Sequence, residues 1–577
     1  MNPSRTTGAK LLCTALQRAG IEHVFGLPGT QTVGLFEALR TSTLRTTVAT
    51  HELSASMMAN GYYRASGKPA VLLTIPGPGF TWALTGLAEA ALDSAALIHL
   101  TCTPAASPGR AFQLQALDQA AIAAPLVKRL FSVEHAEEGA AAISGAYAEC
   151  LAGEPGPVLV QVANNVWDET CGIEAESTPD RATAVDATDI ARAAESVTEA
   201  PRCVLLLGQG CHGAADLATQ LAERLNAAVV TTASGRGAVA EDHPLSLGFE
   251  LGGNRIATLN SLIEASDLTL AIGCKFSHNG SRGFRLCIPR DKLIHVDASE
   301  PVLGANYPAR LAIRAEAGDF MAALLPRLGT GDTAARGFSA EEIAQWRNRC
   351  RVENVQDTVE PRIHGVASGK PEAFFAALRD AMPRTSCLVT DSGQHQDLAR
   401  RHFRVLCPRG LILPTNLQSM GFGIGAAIGA CMADPDRPVV ALIGDGGLAM
   451  SGLELLTAVR ERLRLTVIVF VDGALGAIRN QQLAASGHAF GTAVPNMDVA
   501  GLAAAIGAAY LRLDDEPGAV LRKALAAPGV TLLEVTLGDT LQMHRARARG
   551  VAKSMLGPGA KAGLRKLLGR GAAGSEQ

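Results

Sequence analysis

The chain has 577 residues, 47% hydrophobic and 19% charged, with a net charge of −3. That length exceeds one core and favours about three domains, the near-neutral charge gives no nucleic-acid footprint, and an aromatic content of 4% leaves little for stacking bases or sugars. Twelve cysteines lie scattered without a CxxC pair or a Cys/His cluster at zinc spacing, which reads as small buried hydrophobes in a reducing, cytoplasmic setting.

The opening "MNPSRTTGAKLLCTALQRAG" has no long apolar core and predicts an amphipathic helix rather than a signal peptide. No uncharged apolar run reaches about 18 residues, so no membrane span is expected. The runs "HVFGL" (23–27), "AVLLTI" (70–75) and "PVLVQV" (157–162) predict strands with helices between them, a first domain over 1–171. The polar stretch 172–189 reads as a linker. "CVLLLGQGC" (203–211) predicts a strand entering a Gly-rich turn, and "AAVVTT", "LTLAIG" and "LIHVDA" continue a second block over 190–328. Its Gly-x-Gly lacks a convincing third glycine and acidic partner, so a structural Rossmann-like domain is expected. A charged connector (329–365) leads to a third block, 366–540, with "CLVTDSG", "PVVALIGDGG", "TVIVFVDG" and "VTLLEVTL". Residues 541–577 carry eight Lys/Arg against one acid, a basic tail or a clamp for an anionic ligand. Strands alternating with helices throughout predict an α/β protein of three doubly wound parallel-sheet domains.

The chemistry concentrates in "ALIGDGGLAMSGLELLTAVRERLRLTVIVFVDGALG". A strand ends in Gly444-Asp445-Gly446-Gly447, a helix follows with Ser451 and Glu454 in a capping-box pattern, and the next strand ends on Asp472. Both carboxylates therefore fall at the carboxyl edge of consecutive parallel strands, where open α/β sheets bind ligands. Strands about 4.8 Å apart let two such groups share a hard cation. Magnesium takes carboxylate, phosphate and water oxygens. Glycines let backbone N–H groups approach an anion, and a helix start adds positive dipole. A Mg²⁺-bridged diphosphate is expected; the bland alternative is a solvated turn with two unrelated aspartates.

Gly-Asp-Gly followed some 27 residues later by a strand-closing Asn or Asp resembles the signature of thiamine-diphosphate enzymes, in the decarboxylase and acetolactate-synthase branch. The resemblance covers residues 5 to about 540. "VATHELSASMMANGYYRASGKPAV", "FGLPGT", "GPGF" and "LQALDQAAIAAPLVK" are similar to the loops of that family's first domain, and "TDSGQHQ" and "QSMGFGIGAAIGA" to its third. It implies a pyrimidine-binding, a middle and a diphosphate-binding domain in that order. Most relatives carry Asn-Asn where this chain has Val471-Asp472; the catabolic, flavin-independent acetolactate synthases resemble it in their Val-Asp.

The resemblance also implies roles. Mg²⁺ would be held by Asp445, Asp472 and the carbonyl of Ala474. Gly393, Gln394, His395, Gly444, Gly446, Gly447, Leu475 and Gly476 would surround the diphosphate, with Gln396 beside them. Glu52 would hydrogen-bond the pyrimidine ring nitrogen N1′, a role for a buried carboxyl that Met57 and Met58 could help shield. Met420 would be the apolar wedge beneath the cofactor and the carbonyl of Gln418 would receive its amino group, where Gly is usual. Gln115 would enter the active site from the first domain.

The activity implied is decarboxylation of a 2-oxo acid, pyruvate foremost, followed by addition of the acyl carbanion to a second carbonyl compound. Gln481 replaces the Trp of biosynthetic synthases, "TPAASPGRAFQ" lacks the His-His pair of pyruvate decarboxylases, and Glu52 argues against glyoxylate carboligase. The rival readings are an acyloin-forming lyase or a decarboxylase for a larger substrate, and, in another class, a non-catalytic cofactor-binding paralogue. FAD is possible but not favoured. The resemblance implies a homodimer or homotetramer with active sites between chains, and "TGLAEAALDSAAL" (85–97) and "GIGAAIGACMA" (423–433) are candidates for its interface or for core.

Overall fold

A computed structural model of the chain describes residues 6–104, 110–172, 185–251, 255–329, 336–355, 359–540, 543–545, 548 and 551. Most of the expected basic tail lies outside the described residues, as does most of the linker. Among the described residues no helix is long and apolar enough to cross a membrane.

The amphipathic helix expected at the start is α1, Gly8–Arg18, capped by the Thr7 hydroxyl and buried along Leu11, Leu12 and Leu16. The first sheet consists of β1 His23–Gly26, β2 Arg45–Val48, β3 Ala70–Thr74, β4 Leu97–Thr103, β5 Leu130–Val133 and β6 Pro157–Ala163. It is wholly parallel, in the order β2-β1-β3-β4-β6-β5.

The middle sheet has β7 Cys203–Leu207, β8 Ala228–Thr231, β9 Ser246–Glu250, β10 Leu268–Ile272, β11 Leu293–Asp297 and β12 Leu311–Arg314. It is parallel in the order β9-β8-β7-β10-β11-β12, the doubly wound arrangement of a Rossmann sheet. Its Gly-x-Gly turn enters a 3₁₀ helix, Gln209–Ala214, rather than an α-helix. Gln209 there donates to the Asp93 and Ser94 carbonyls of the first domain.

The third sheet has β13 Arg362–Ile363, β14 Cys387–Thr390, β15 Leu411–Ile412, β16 Val439–Gly444, β17 Leu465–Val471, β18 Ala509–Arg512 and β19 Val530–Gly538. The order is β13-β19-β17-β16-β14-β15 with β18 also on β19, and only β13 runs antiparallel. The three parallel α/β sheets are those expected from the alternating pattern.

The first and third sheets share one apolar cluster, reaching from Leu12 through Met57 and Ile428 to Leu532. Its centre is the crossing of α2, Glu52–Ser66, with α5, Phe422–Ala433. A Cβ on Gly429 would collide with the Met58 carbonyl, and one on Gly425 would lie 2.8 Å from Met57 Cβ. The small residues of 423–433 therefore serve an intramolecular contact, which settles that segment as core. Of 85–97, residues up to Leu92 belong to the helix α3, Pro78–Leu92, whose Trp82 and Leu92 face outward, and Leu97 starts β4.

Candidate active site

β16 and β17 are neighbours with Gly444 opposite Phe470, so the loops leaving them begin side by side. Asp445 opens the short helix α6, Asp445–Ser451. Its Oδ1 accepts the Gly446 N–H at 2.8 Å and its Oδ2 the N–H groups of Asp472 (3.2 Å) and Gly473 (2.7 Å). Asp472 accepts the Ala474 N–H on Oδ1 at 3.2 Å, and its Oδ2 pairs with Arg479 Nη2 at 3.0 Å. Burial, and secondarily the Asp445 charge, raise the Asp472 pKa against the pull of Arg479.

The helix after Asp445 differs from its expected form. Ser451 Oγ bonds the Gly447 carbonyl and Glu454 turns away to the first domain, accepting from Thr50 N at 3.0 Å and from Thr457 Oγ1 at 2.6 Å. No capping box forms, because α6 is already continuous with the strand end and the acid has a better donor set across the domain boundary.

Between these loops lies a cleft with about 630 Å³ of empty space. Its wall takes Gly393, Gln394 and His395 from the start of α4, Gln394–His402, Met420 from the loop before α5, and Gly444, Asp445, Gly446 and Gly447 from β16 and α6. Asp472, Ala474, Leu475 and Gly476 complete it, with Phe470, Ile478 and Leu537 as apolar wall. The start of α7, Gly476–Ser486, is closely packed: a Cβ on Gly476 would meet Asp472 Oδ2 and lie 2.9 Å from Gln394 Oε1, so those two side chains would have to shift.

His395 is fully inside the protein, stacked on Phe470 at 6.2 Å, with its pKa lowered to about 4 by burial, so the ring is neutral. Its Nε2 has no protein partner. Gln396, expected beside the diphosphate, is instead buried with its amide donating to the Pro414 carbonyl at 2.8 Å, because it points to the opposite side of α4. Gln418 does not line the cleft; its Nε2 donates to the Thr415 carbonyl at 3.2 Å and its φ is +59°. A left-handed backbone explains why glycine suits this position.

Glu52 and Gln115 lie elsewhere. Glu52 opens α2 behind the His51 cap and is 5% exposed. Its Oε1 is 3.0 Å from where a Cβ on Gly79 would stand, and Gln115 Cβ is 3.2 Å from where one on Gly77 would stand. The "GPGF" turn thus lies between them. Every residue lining the cleft falls between 392 and 537. Gln481 is exposed on α7 and is absent from the wall.

One acid of the site was not singled out beforehand. Asp391, fully buried at the end of β14, accepts Ser392 N (2.7 Å) and Gly421 N (3.0 Å), so it ties the Gln394 loop to the start of α5. Burial pushes its pKa up to about 7. Its signal was present in "TDSGQHQ", where it precedes the glycine turn.

The donor set fits a magnesium-bound diphosphate. A carboxylate offers about four lone-pair sites; three N–H groups occupy Asp445, while one N–H and Arg479 occupy Asp472. Oxygen lone pairs remain on both for a hard cation. Among the described residues no three or more His, Cys, Asp or Glu side chains gather as a metal cage, so such an ion would need the ligand's own oxygens.

Three parallel α/β domains, with paired carboxylates and a glycine-lined cleft at the edge of the third sheet, define an α/β enzyme built around a diphosphate-bearing ligand. Residues 6–122, 190–324 and 391–535 match the N-terminal TPP binding domain, the central domain and the C-terminal TPP binding domain of thiamine pyrophosphate enzymes, and the chain belongs to that family. Within it the chain is acetolactate synthase-like. It is 32% identical to the acetolactate synthase isozyme 1 large subunit of Escherichia coli over 92% of this chain and 94% of that one. It is 30% identical to the "Probable 2-ketoarginine decarboxylase AruI" of Pseudomonas aeruginosa, over 93% and 95%. The chloroplastic acetolactate synthase of Arabidopsis thaliana is 29% identical over 92% of this chain and 81% of its own.

Proposed function

We propose that the protein decarboxylates a 2-oxo acid, pyruvate first among donors, and joins the acyl unit to a second carbonyl compound. The observation that carries this reading is the cleft itself, with Asp445 and Asp472 at adjacent strand ends in a chain that also keeps Glu52 buried. Thiamine diphosphate, when bound, supplies the carbon centre at which the 2-oxo acid loses CO₂.

The chain's own residues prepare that centre. Asp445, Asp472 and the Ala474 carbonyl hold Mg²⁺; Gly393, Gln394, His395, Gly444, Gly446, Gly447, Leu475 and Gly476 enclose the diphosphate. Met420 and the Gln418 carbonyl orient the aminopyrimidine. Glu52 would hold a proton at ring nitrogen N1′, and Gln115 would approach from the other side of the 77–80 turn. Phe470, Ile478 and Leu537 give the cleft its apolar wall. Because the cleft wall contains no residue before 392, Glu52 and Gln115 would come from a second chain, in a homodimer or a tetramer of two such dimers. Exposed apolar side chains on α3, on α6 and just beyond it support this pairing: Trp82 is 54%, Met450 58% and Leu453 65% exposed.

The AruI likeness favours one second reading, a decarboxylase for a larger 2-oxo acid. The experiment is a screen of 2-oxo acids for thiamine-diphosphate- and Mg²⁺-dependent CO₂ release, with products analysed by mass spectrometry. A ligated hydroxy-keto product from pyruvate supports the first reading; an aldehyde from a longer acid, and none from pyruvate, supports the second. No CO₂ from any donor would leave the non-catalytic paralogue. We place the chain with flavin-independent synthases, on Val471-Asp472 and Gln481; a flavin absorption spectrum from the purified protein would refute that.

A further inference from the structure

Helix α3 and the residue that caps it carry two acids for which the reaction above has no use. Glu89 and Asp93 lie one turn apart, 0% and 3% exposed, and both bond out of the first domain into the third. Glu89 Oε2 accepts the Ser419 N–H at 3.0 Å and the Ser419 hydroxyl at 2.6 Å. Asp93 accepts the Thr415 N–H at 2.7 Å and the Asn416 N–H at 3.1 Å. Between these two grips sits Gln418 with φ +59°, and just after them Met420. A glutamine holds a left-handed backbone only where its surroundings impose it. The carboxylate bonds on both sides of residue 418 are that imposition. Glu89 Oε1 has no partner; burial, then the Asp93 charge, push the Glu89 pKa up to about 7. A buried acid costs stability unless it is hydrogen-bonded or paired, and half of this carboxyl has no hydrogen-bond donor among the described residues.

We propose that Glu89, with Asp93, is a positioning residue that fixes the backbone from Thr415 to Met420, and with it the Gln418 carbonyl and the Met420 side chain, to receive the aminopyrimidine half of the cofactor. The inference rests on the cofactor reading above, extending it to residues of the first domain that never line the cleft.

The test uses the full-length protein with Mg²⁺. Glu89→Ala, Glu89→Gln, Ser419→Ala and the Glu89→Ala/Ser419→Ala double variant are compared in two readouts. One is amide hydrogen exchange of the 411–422 peptide without cofactor; the other is the Kd for thiamine diphosphate, followed by tryptophan quenching. A buried donor left without its acceptor, as Ser419 N–H would be, costs a factor of about five to 150. Glu89→Ala should therefore speed exchange and raise Kd about tenfold or more, and Glu89→Gln, which keeps an acceptor, should stay within about threefold. Ser419→Ala should raise Kd about threefold, and the double variant should be no weaker than Glu89→Ala alone. Faster exchange with Kd within about twofold of wild type would overturn the proposal, leaving a domain contact only; so would effects of the two single variants that multiply. Should Glu89→Ala not fold, an unchanged Kd in Ser419→Ala decides against it. Wild-type protein that fails to bind the cofactor would refute the active-site reading instead.

Discussion

Asp445 and Asp472 stand at equivalent ends of neighbouring strands, yet the same Asp→Asn change should affect them differently. Asp445 is 4% exposed and accepts three backbone N–H groups, two of them from the loop at Asp472 and Gly473. An asparagine offers one oxygen, and its amide would face at least one of those donors. A buried donor left unpaired costs about 1–3 kcal/mol, so the 472–474 loop should open roughly 5- to 150-fold more often. Asp472 accepts less: one N–H, from Ala474, and a partly exposed pair with Arg479. Asp472→Asn would keep the first and still offer Arg479 an uncharged oxygen, so fewer backbone donors lose a partner than at Asp445. Hydrogen exchange of a 470–476 peptide, without metal or cofactor, measures the difference. Mg²⁺ titrations then follow: Asp472→Asn should retain metal-dependent cofactor binding, and Asp445→Asn should lose most of it. Faster exchange in Asp472→Asn than in Asp445→Asn, or wild-type exchange in the latter, would refute the reasoning.

Glu52→Gln should still bind thiamine diphosphate but slow exchange of its C2 proton by at least about 10²-fold, followed by NMR in deuterated buffer; unchanged exchange rules out the assigned role. Mixed dimers of Glu52→Gln and Asp445→Ala chains should regain about a quarter of wild-type activity, since random assortment gives half mixed dimers with one intact site each. No recovery with mass-verified mixed dimers would put both half-sites in one chain. Glu89, beside Asp93 and Ser419, has its pKa raised from 4.5 to about 7. The stability its proton contributes is complete below about pH 4.5 and is lost as pH rises through about 7. Urea midpoints between pH 5 and 8 should fall more steeply in wild type than in Glu89→Gln; parallel slopes would exclude Glu89 as the titrating group.

The strands legible from sequence are those buried on both faces, such as Cys203–Leu207 and Leu268–Ile272, which read as unbroken apolar runs. Those that escaped notice are mostly at sheet edges. Arg45–Val48 and Leu311–Arg314 are only partly buried and carry arginines, so neither periodicity nor composition marks them within four residues. Leu97–Thr103 is central but follows a helix so rich in alanine and leucine that no boundary shows. In the site, residues near a strand end were legible together: Asp445, Asp472 and Gly476 share one wall because the βαβ unit itself juxtaposes them. The partners of Glu454 at Thr50, and of Glu89 at Ser419, were not, since 404 and 330 residues separate them in sequence. Local spacing suggested a cap for Glu454, and tertiary donors won.

Those same long-range bonds bear on the proposal that Glu52 serves a second chain. α2 and α5 touch backbone to backbone at Gly429 and Met58, so the first and third domains cannot slide past one another without breaking a close-packed contact. Glu454 adds a bond to Thr50, two residues before Glu52, and Arg64 another, to the Leu413 carbonyl at 2.7 Å. Glu52 is thus fixed within its chain at a place where it does not border the chain's own cleft. A hinge closure bringing the two together would have to undo all three contacts, together with the core they share. Two chains docked through the exposed faces near Trp82 and Met450 would need no such rearrangement, so the proposed pairing would join rigid halves rather than call on a moving domain.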